Sequence, residues 1–226
     1  MRKNVLPVCL FAALLVSAAP VMAEDYDLRE YFLMSSGSYQ VYDDDNDGIA
    51  DWGTRFTWMG DYVLANDYDK DGAAWDLDGV EIWRRDVAGL SLVGSWEPGA
   101  PGVEYLNPPI SFPDALSVGE TVMWASLEDE IEDPPYGQEW VIGVLQIANE
   151  GVPVTTPAGT FPDCLEIRFV DLEQDVEGGA WWISTETNHY ARFIGMVKSV
   201  GSEMQVGNPA TYEEWTEKLV GYFVAP

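Results

Sequence analysis

The sequence predicts an all-β fold, a single curved antiparallel sheet or open barrel with one or two short helices. Three observations predict it. Short runs of alternating apolar and polar residues recur between clusters of Gly, Pro, Asp and Asn. No long stretch carries the 3.6-residue apolar period of a helix. Two later runs are apolar on both faces: Trp140, Ile142 and Val144 oppose Val141, Leu145 and Ile147, and Val122 and Trp124 oppose Met123 and Leu127. Strands covered on both sides suit a curled sheet with something packed in its concavity.

The elements follow in order. Residues 1–23 begin with Arg2 and Lys3, run through an apolar stretch at 5–16 and end in Val21-Met22-Ala23. That is a signal peptide cleaved near Ala23. The run is shorter than the about 20 residues of a membrane span. Cys9 lies inside it without a small residue before it at the cleavage site, so no lipid anchor is read. Export to the periplasm or the extracellular space follows. Residues 24–226 then form a single β-rich domain, large enough for a real core. Residues 26–34 and 209–215 are the two short helix candidates. Strands are expected at 37–42, 55–64, 79–85, 90–96, 120–127, 139–149, 165–169, 180–186, 189–200 and 218–224. In 55–64, Phe56, Trp58, Tyr62 and Leu64 alternate with Arg55, Thr57 and Asp61; Leu165, Ile167 and Phe169 alternate with Glu166 and Arg168. Residues 97–113 and 132–137 are rich in Pro and Gly and read as loops.

Charge narrows the partners. The chain carries 39 acids and 11 Lys and Arg, a net charge of −28; losing Arg2 and Lys3 with no acid takes it to −30. Such a surface repels nucleic acid and anionic lipid and attracts cations. Ten tryptophans and 13% aromatic residues argue against disorder. Cys164 is the only cysteine left after cleavage, so no intrachain disulfide forms.

The stretch "DDDNDGIAD" sets Asp43, Asp45, Asp47 and Asp51 at positions one, three, five and nine, with Gly48 at six and the Ile49 carbonyl at seven. Calcium takes six to eight oxygen ligands, and alternating carboxylates on a curling backbone supply them. The bland alternative is a turn built from turn-favouring residues. Four crowded carboxylates without a cation would repel one another, which favours calcium. These nine residues resemble the calcium hairpin of integrin-type β-propeller repeats, which closes with an Asp at position nine. Thr54 at twelve does not suit an EF-hand. A second stretch, 66–79, repeats the opening with Asp67, Asp69, Asp71 and Gly72 and reaches Asp78 at twelve, but Trp75 stands at nine. It is read either as a further calcium site or as a hairpin turning at Asp78-Gly79.

A longer likeness lies in "VTTPAGTFPDCLEIRF", residues 154–169, and in the later Gly195-Met196-Val197-Lys198. It resembles secreted bacterial β-rich proteins of unknown function, with one departure: Arg192-Phe193 stands where those proteins carry a glycine. Some of them are similar in outline to open β-barrels that carry lipoproteins and lipids. The resemblance implies a curved antiparallel sheet and no catalytic residue.

Catalytic candidates are sparse. His189, the only histidine, is read as an exposed residue at a hairpin tip formed by 187–189. No nucleophile elbow and no paired His or Cys zinc motif is present. Cys164 is read as packing. Trp52, Trp58, Trp83, Trp124 and Trp140 are expected in the core. Trp181 and Trp182 point to opposite faces, one of them outward. The expected role is non-enzymatic: a calcium-binding exported protein that binds an apolar small molecule. The alternatives are a carbohydrate-binding module and, behind it, a glycan-acting enzyme.

Overall fold

The computed structural model describes residues 24–32, 35–71, 74–129, 138–175 and 179–226. The expected signal peptide and the 132–137 loop lie outside them. In chain order the described elements are β1 (Asp25–Tyr26), a single helical turn α1 (Arg29–Phe32), β2 (Tyr39–Asp43), β3 (Trp52–Met59), β4 (Tyr62–Asp71), β5 (Ala74–Asp86), β6 (Gly89–Trp96), β7 (Glu104–Pro113), β8 (Leu116–Ser117), β9 (Thr121–Asp129), β10 (Gln138–Thr156), β11 (Gly159–Asp175), β12 (Trp182–Ala191), β13 (Gly195–Gln205), a 3₁₀ turn (Pro209–Thr211) and β14 (Glu213–Phe223).

The all-β antiparallel class is as expected, and the curvature runs on to full closure. Twelve strands form a closed barrel in which each pairs with its chain neighbour, except that β9 follows β7 and β8 pairs with β1 outside the ring. Its last strand meets its first: β14 pairs with β2 from Lys218↔Asp43 to Phe223↔Tyr39. Closure removes the unpaired edges an open sheet would expose. One outward row is polar: Glu166, His189 and Lys198 lie side by side across β11, β12 and β13. Among the described residues no helix is long and apolar enough to cross a membrane.

An eight-stranded barrel is about filled by its own side chains; twelve strands enclose more room than that. Part of the surplus is taken by α1. Leu28 and Tyr31 are buried against Leu145, Ile147, Leu165 and Ile167 at one end of the barrel. The Phe32 ring packs on Tyr190 at 4.8 Å and Phe112 at 5.8 Å between centroids. Burying Leu28 alone contributes about 2 kcal/mol. A second cluster joins Tyr42, Val197 and Leu219 to Val154, Phe161 and Cys164 near the end of the long β10–β11 hairpin. There Ala158 N–H donates to the Leu219 carbonyl at 3.1 Å.

Several expectations change. The alternation at 55–64 is a hairpin, not one strand, because Gly60 takes φ 66° and turns β3 into β4. The expected 97–113 loop contains β7. Its prolines are tolerated because Pro108 and Pro109 fall in a break of the β6 ladder, between Leu92↔Ile110 and Gly94↔Tyr105. Asp78-Gly79 is not a turn. Gly79 pairs with Asp67 and Leu77 with Tyr68, leaving Asp78 as the extra residue of a β-bulge in β5. Only Pro209–Thr211 of the second helix candidate is helical; residues 213–215 already pair with β13.

His189 is neither at a tip nor exposed. It sits within β12, 12% exposed, with Nε2 3.9 Å from Glu166, and burial holds its pKa below the ordinary value. The real turn comes later, at 192–194, where Phe193 has φ 63°. That left-handed backbone is what a glycine, anticipated here from the resemblance, adopts without strain. Trp58 and Trp140 are 38% and 41% exposed rather than buried. Trp181 and Trp182 are both half-buried.

Candidate functional site

What α1 does not fill remains a cavity of about 580 Å³ inside the barrel, within the size range of small-molecule sites. Its lining is layered along the strands by their period of two. The layer next to the plug is aromatic, made by Phe32, Trp83, Phe112, Phe169 and Tyr190. The Trp83 and Phe112 rings stack at 6.1 Å. One step further along the same strand faces the lining turns acidic. On β11 Phe169 is followed by Asp171 and Glu173; on β12 Tyr190 gives way to Asn188 and Glu186; on β5 Trp83 gives way to Glu81; on β4 Ala65 is followed by Asp67.

No lysine or arginine lines this cavity among the described residues, and the carboxyls respond to burial and to one another. Asp171 is pushed up to about 8 by burial, then by Glu186 and Glu173. Asp67 is pushed up to about 7 by burial and by Glu81, against a hydrogen bond from Thr54. Glu81 and Glu186 are raised by burial, each opposed by one donor, Trp83 Nε1–H at 2.9 Å and Asn188 Nδ2–H at 2.8 Å. Gly143 on β10 makes room for this arrangement. A Cβ there would stand 2.2 Å from Trp124 Cζ2 and 2.3 Å from Asp171 Oδ1. Two polar atoms of the lining have no partner, Asn188 Oδ1 and Trp124 Nε1.

The first acidic stretch lies between β2 and β3 and is a hairpin. Ligand atoms of Asp43, Asp45 and Asp51 lie within 4.8 Å of one another. The same carboxylates also hold the turn: Asp43 accepts from Asn46 N–H at 2.6 Å and from Gly48 N–H at 2.9 Å, and Asp51 accepts from Asp44 N–H at 3.2 Å. Asp47 accepts from Ile49 N–H at 2.7 Å and is not in the group of three; Ile49 is 54% exposed. In the second stretch Asp67 and Asp69 lie on extended β4, opposite Gly79 and Asp76, and the Asp71 backbone pairs with Ala74. Asp67 and Asp69 are thus separated by about 6.6 Å of rise, and among the described residues neither belongs to a group of three close acids. Asp67 instead lines the barrel cavity, and Asp78 is exposed on its bulge.

Cys164 is fully buried with its thiol pushed up to about 11, by burial and then by Asp163, which is packing rather than nucleophilic chemistry. Outside the barrel, Tyr39, Tyr68, Trp75 and Phe223 border a groove over Gly53.

The lumen acids Glu81, Asp171, Glu173 and Glu186 are the residues that sequence reasoning missed, and Asp67 was singled out only for calcium. Their signal was there: Leu165, Ile167 and Phe169 share a face, and the same count of two continues to Asp171 and Glu173.

No protein-family model and no curated protein matches the chain. Among solved structures, it is similar to a predicted lipoprotein from Parabacteroides distasonis, at 9% identity and TM-score 0.50, over 85% of this chain and 97% of that one. A predicted exported protein with YmcC-like fold from Bacteroides fragilis aligns over 85% of this chain and 98% of its own, at 12% identity and TM-score 0.40. The first likeness is one of fold, over 85% of this chain, in keeping with the loose resemblance to secreted β-rich proteins.

Proposed function

We propose that this chain is an exported, non-enzymatic binding protein that takes a small molecule with an apolar body into its barrel, and whose β2–β3 hairpin is braced by calcium. The observation that carries the reading is the cavity of about 580 Å³ with an aromatic layer of Phe32, Trp83, Phe112, Phe169 and Tyr190. The shifted carboxyls of the lumen, Asp67, Glu81, Asp171, Glu173 and Glu186, all move upward, first through burial. For calcium, the support is the approach of Asp43, Asp45 and Asp51 in a nine-residue spacing that resembles the integrin-type hairpin.

The test uses the mature chain and N-phenyl-1-naphthylamine, a neutral probe that brightens in apolar surroundings. It should bind saturably with quenching of Trp83 and Trp124, and unlabelled apolar compounds should displace it. A flat titration overturns the lumen reading.

The outer groove gives the glycan alternative its place, because Tyr39, Trp75 and Phe223 are 44%, 42% and 47% exposed and could stack on sugar rings. Glycan binding lost in Trp75→Ala, with no response to the naphthylamine, would establish it instead.

A further inference from the structure

We infer that the lumen selects organic ammonium ions: an amine seated among Asp171, Glu186 and Asn188, with its apolar body against the aromatic layer. The inference rests on the lumen being the binding site and names the chemistry of what enters it. Four features of the cavity carry it.

The first is the layering. Aromatic faces below and carboxylates one strand step above match a ligand that is apolar at one end and cationic at the other. Aromatic faces themselves attract a cation. The second is Asn188, whose side chain is 4% exposed and lines the cavity. Its Nδ2–H is used on Glu186, and its Oδ1 has no partner. A buried acceptor left open calls for a donor, and an ammonium carries up to three N–H donors.

The third is what the cavity lacks. No Lys or Arg lines it among the described residues, so its carboxyl groups meet no cation from the chain's own lining. A fatty acid would add one more negative charge. The fourth separates an organic cation from a metal. Among the described residues the only three acids with ligand atoms within 4.8 Å of one another are those of the outer hairpin. The lumen carboxyls, spread over β4, β5, β11 and β12, are too dispersed to coordinate one ion. Asp171 and Glu186 beside the open Asn188 Oδ1 suit one ammonium head with up to three N–H donors.

The experiment compares three probes of one length by calorimetry at physiological ionic strength: decylammonium, decanol and decanoate. Decylammonium should bind about tenfold or more tighter than decanol, as one buried charge-assisted hydrogen bond requires, and decanoate should not bind. The double variant Asp171→Asn, Glu186→Gln should lose that preference while still binding decanol. It removes buried repulsion and should fold, which a melting curve verifies. A control at the exposed Glu213 and Glu214, both changed to Gln, should leave the preference intact. Equal binding of decanol and decylammonium, tighter binding of decanoate, or an equal loss in the surface control would overturn the inference while leaving the lumen reading in place. Failure of all three probes and of the naphthylamine would overturn both.

Discussion

Replacing Asp171 by Asn should stabilise this protein, and only at high pH. Asp171 is held at about 8 instead of the ordinary 3.8, first by burial and then by Glu186 and Glu173. Its folded pKa lies above its unfolded one, so the native state holds a proton that the unfolded chain releases. Stability therefore falls as pH rises from about 4 to about 8. The gap from 3.8 to about 8 corresponds to roughly 6 kcal/mol. Solvation by water in the lumen, and the readjustment of Glu186 and Glu173 around an ionised Asp171, reduce this to about 2 to 3 kcal/mol. Asn has the same shape and no charge. It should leave the melting temperature unchanged near pH 4 and raise it by about 5 to 10 °C at pH 9, using about 2 to 4 °C per kcal/mol for a domain of this size. Thermal melts followed by circular dichroism from pH 4 to 9, with chelator throughout, read the difference. A pH-independent shift, or destabilisation at pH 9, would refute the account of an unpaired acid cluster in the barrel.

Other substitutions test neighbouring parts of the structure. Asp43→Ala should cost about 1 to 3 kcal/mol even in chelator, because it leaves two turn N–H groups without their acceptor. Asp45→Ala should cost little in chelator but abolish the calcium gain, about 1.4 kcal/mol at ten times the dissociation constant; the same melting point for wild type with calcium and with chelator would remove calcium from the account. Gly143→Ala should destabilise by about 1 to 3 kcal/mol through overpacking against Trp124 and Asp171 and should shift the tryptophan emission; a silent variant would mean that the ring is free to move. Phe193→Gly should raise the urea midpoint by up to about 1 kcal/mol equivalent by relieving a left-handed residue. The intact mass of the exported protein should correspond to a chain beginning near Glu24, and a retained Met1 or a lipid on Cys9 would refute the signal peptide.

The sequence determined what is local. Turn residues and alternation were enough for the all-β class and for most strands, because period two is imposed by the pleat itself. The approach of Asp43, Asp45 and Asp51 was legible too, since nine residues curling around Gly48 need no distant partner. The tertiary structure decided what depends on which strands meet. Closure rests on β14 finding β2, a pairing between the two ends of the described chain that no local pattern encodes. The place of Asp67 and Asp69 depends on the same kind of meeting: pairing with β5 sets Asp67 in the barrel lining and Asp69 on an extended strand. His189 looked like part of a turn because Asn188 precedes it, yet that Asn faces the lumen and bonds Glu186. The acid layer shows the limit most clearly. Asp171, Glu173, Glu186 and Glu81 each read as ordinary surface acids in a chain with 39 of them. They become a site only because a barrel of twelve strands leaves an interior its own side chains do not fill.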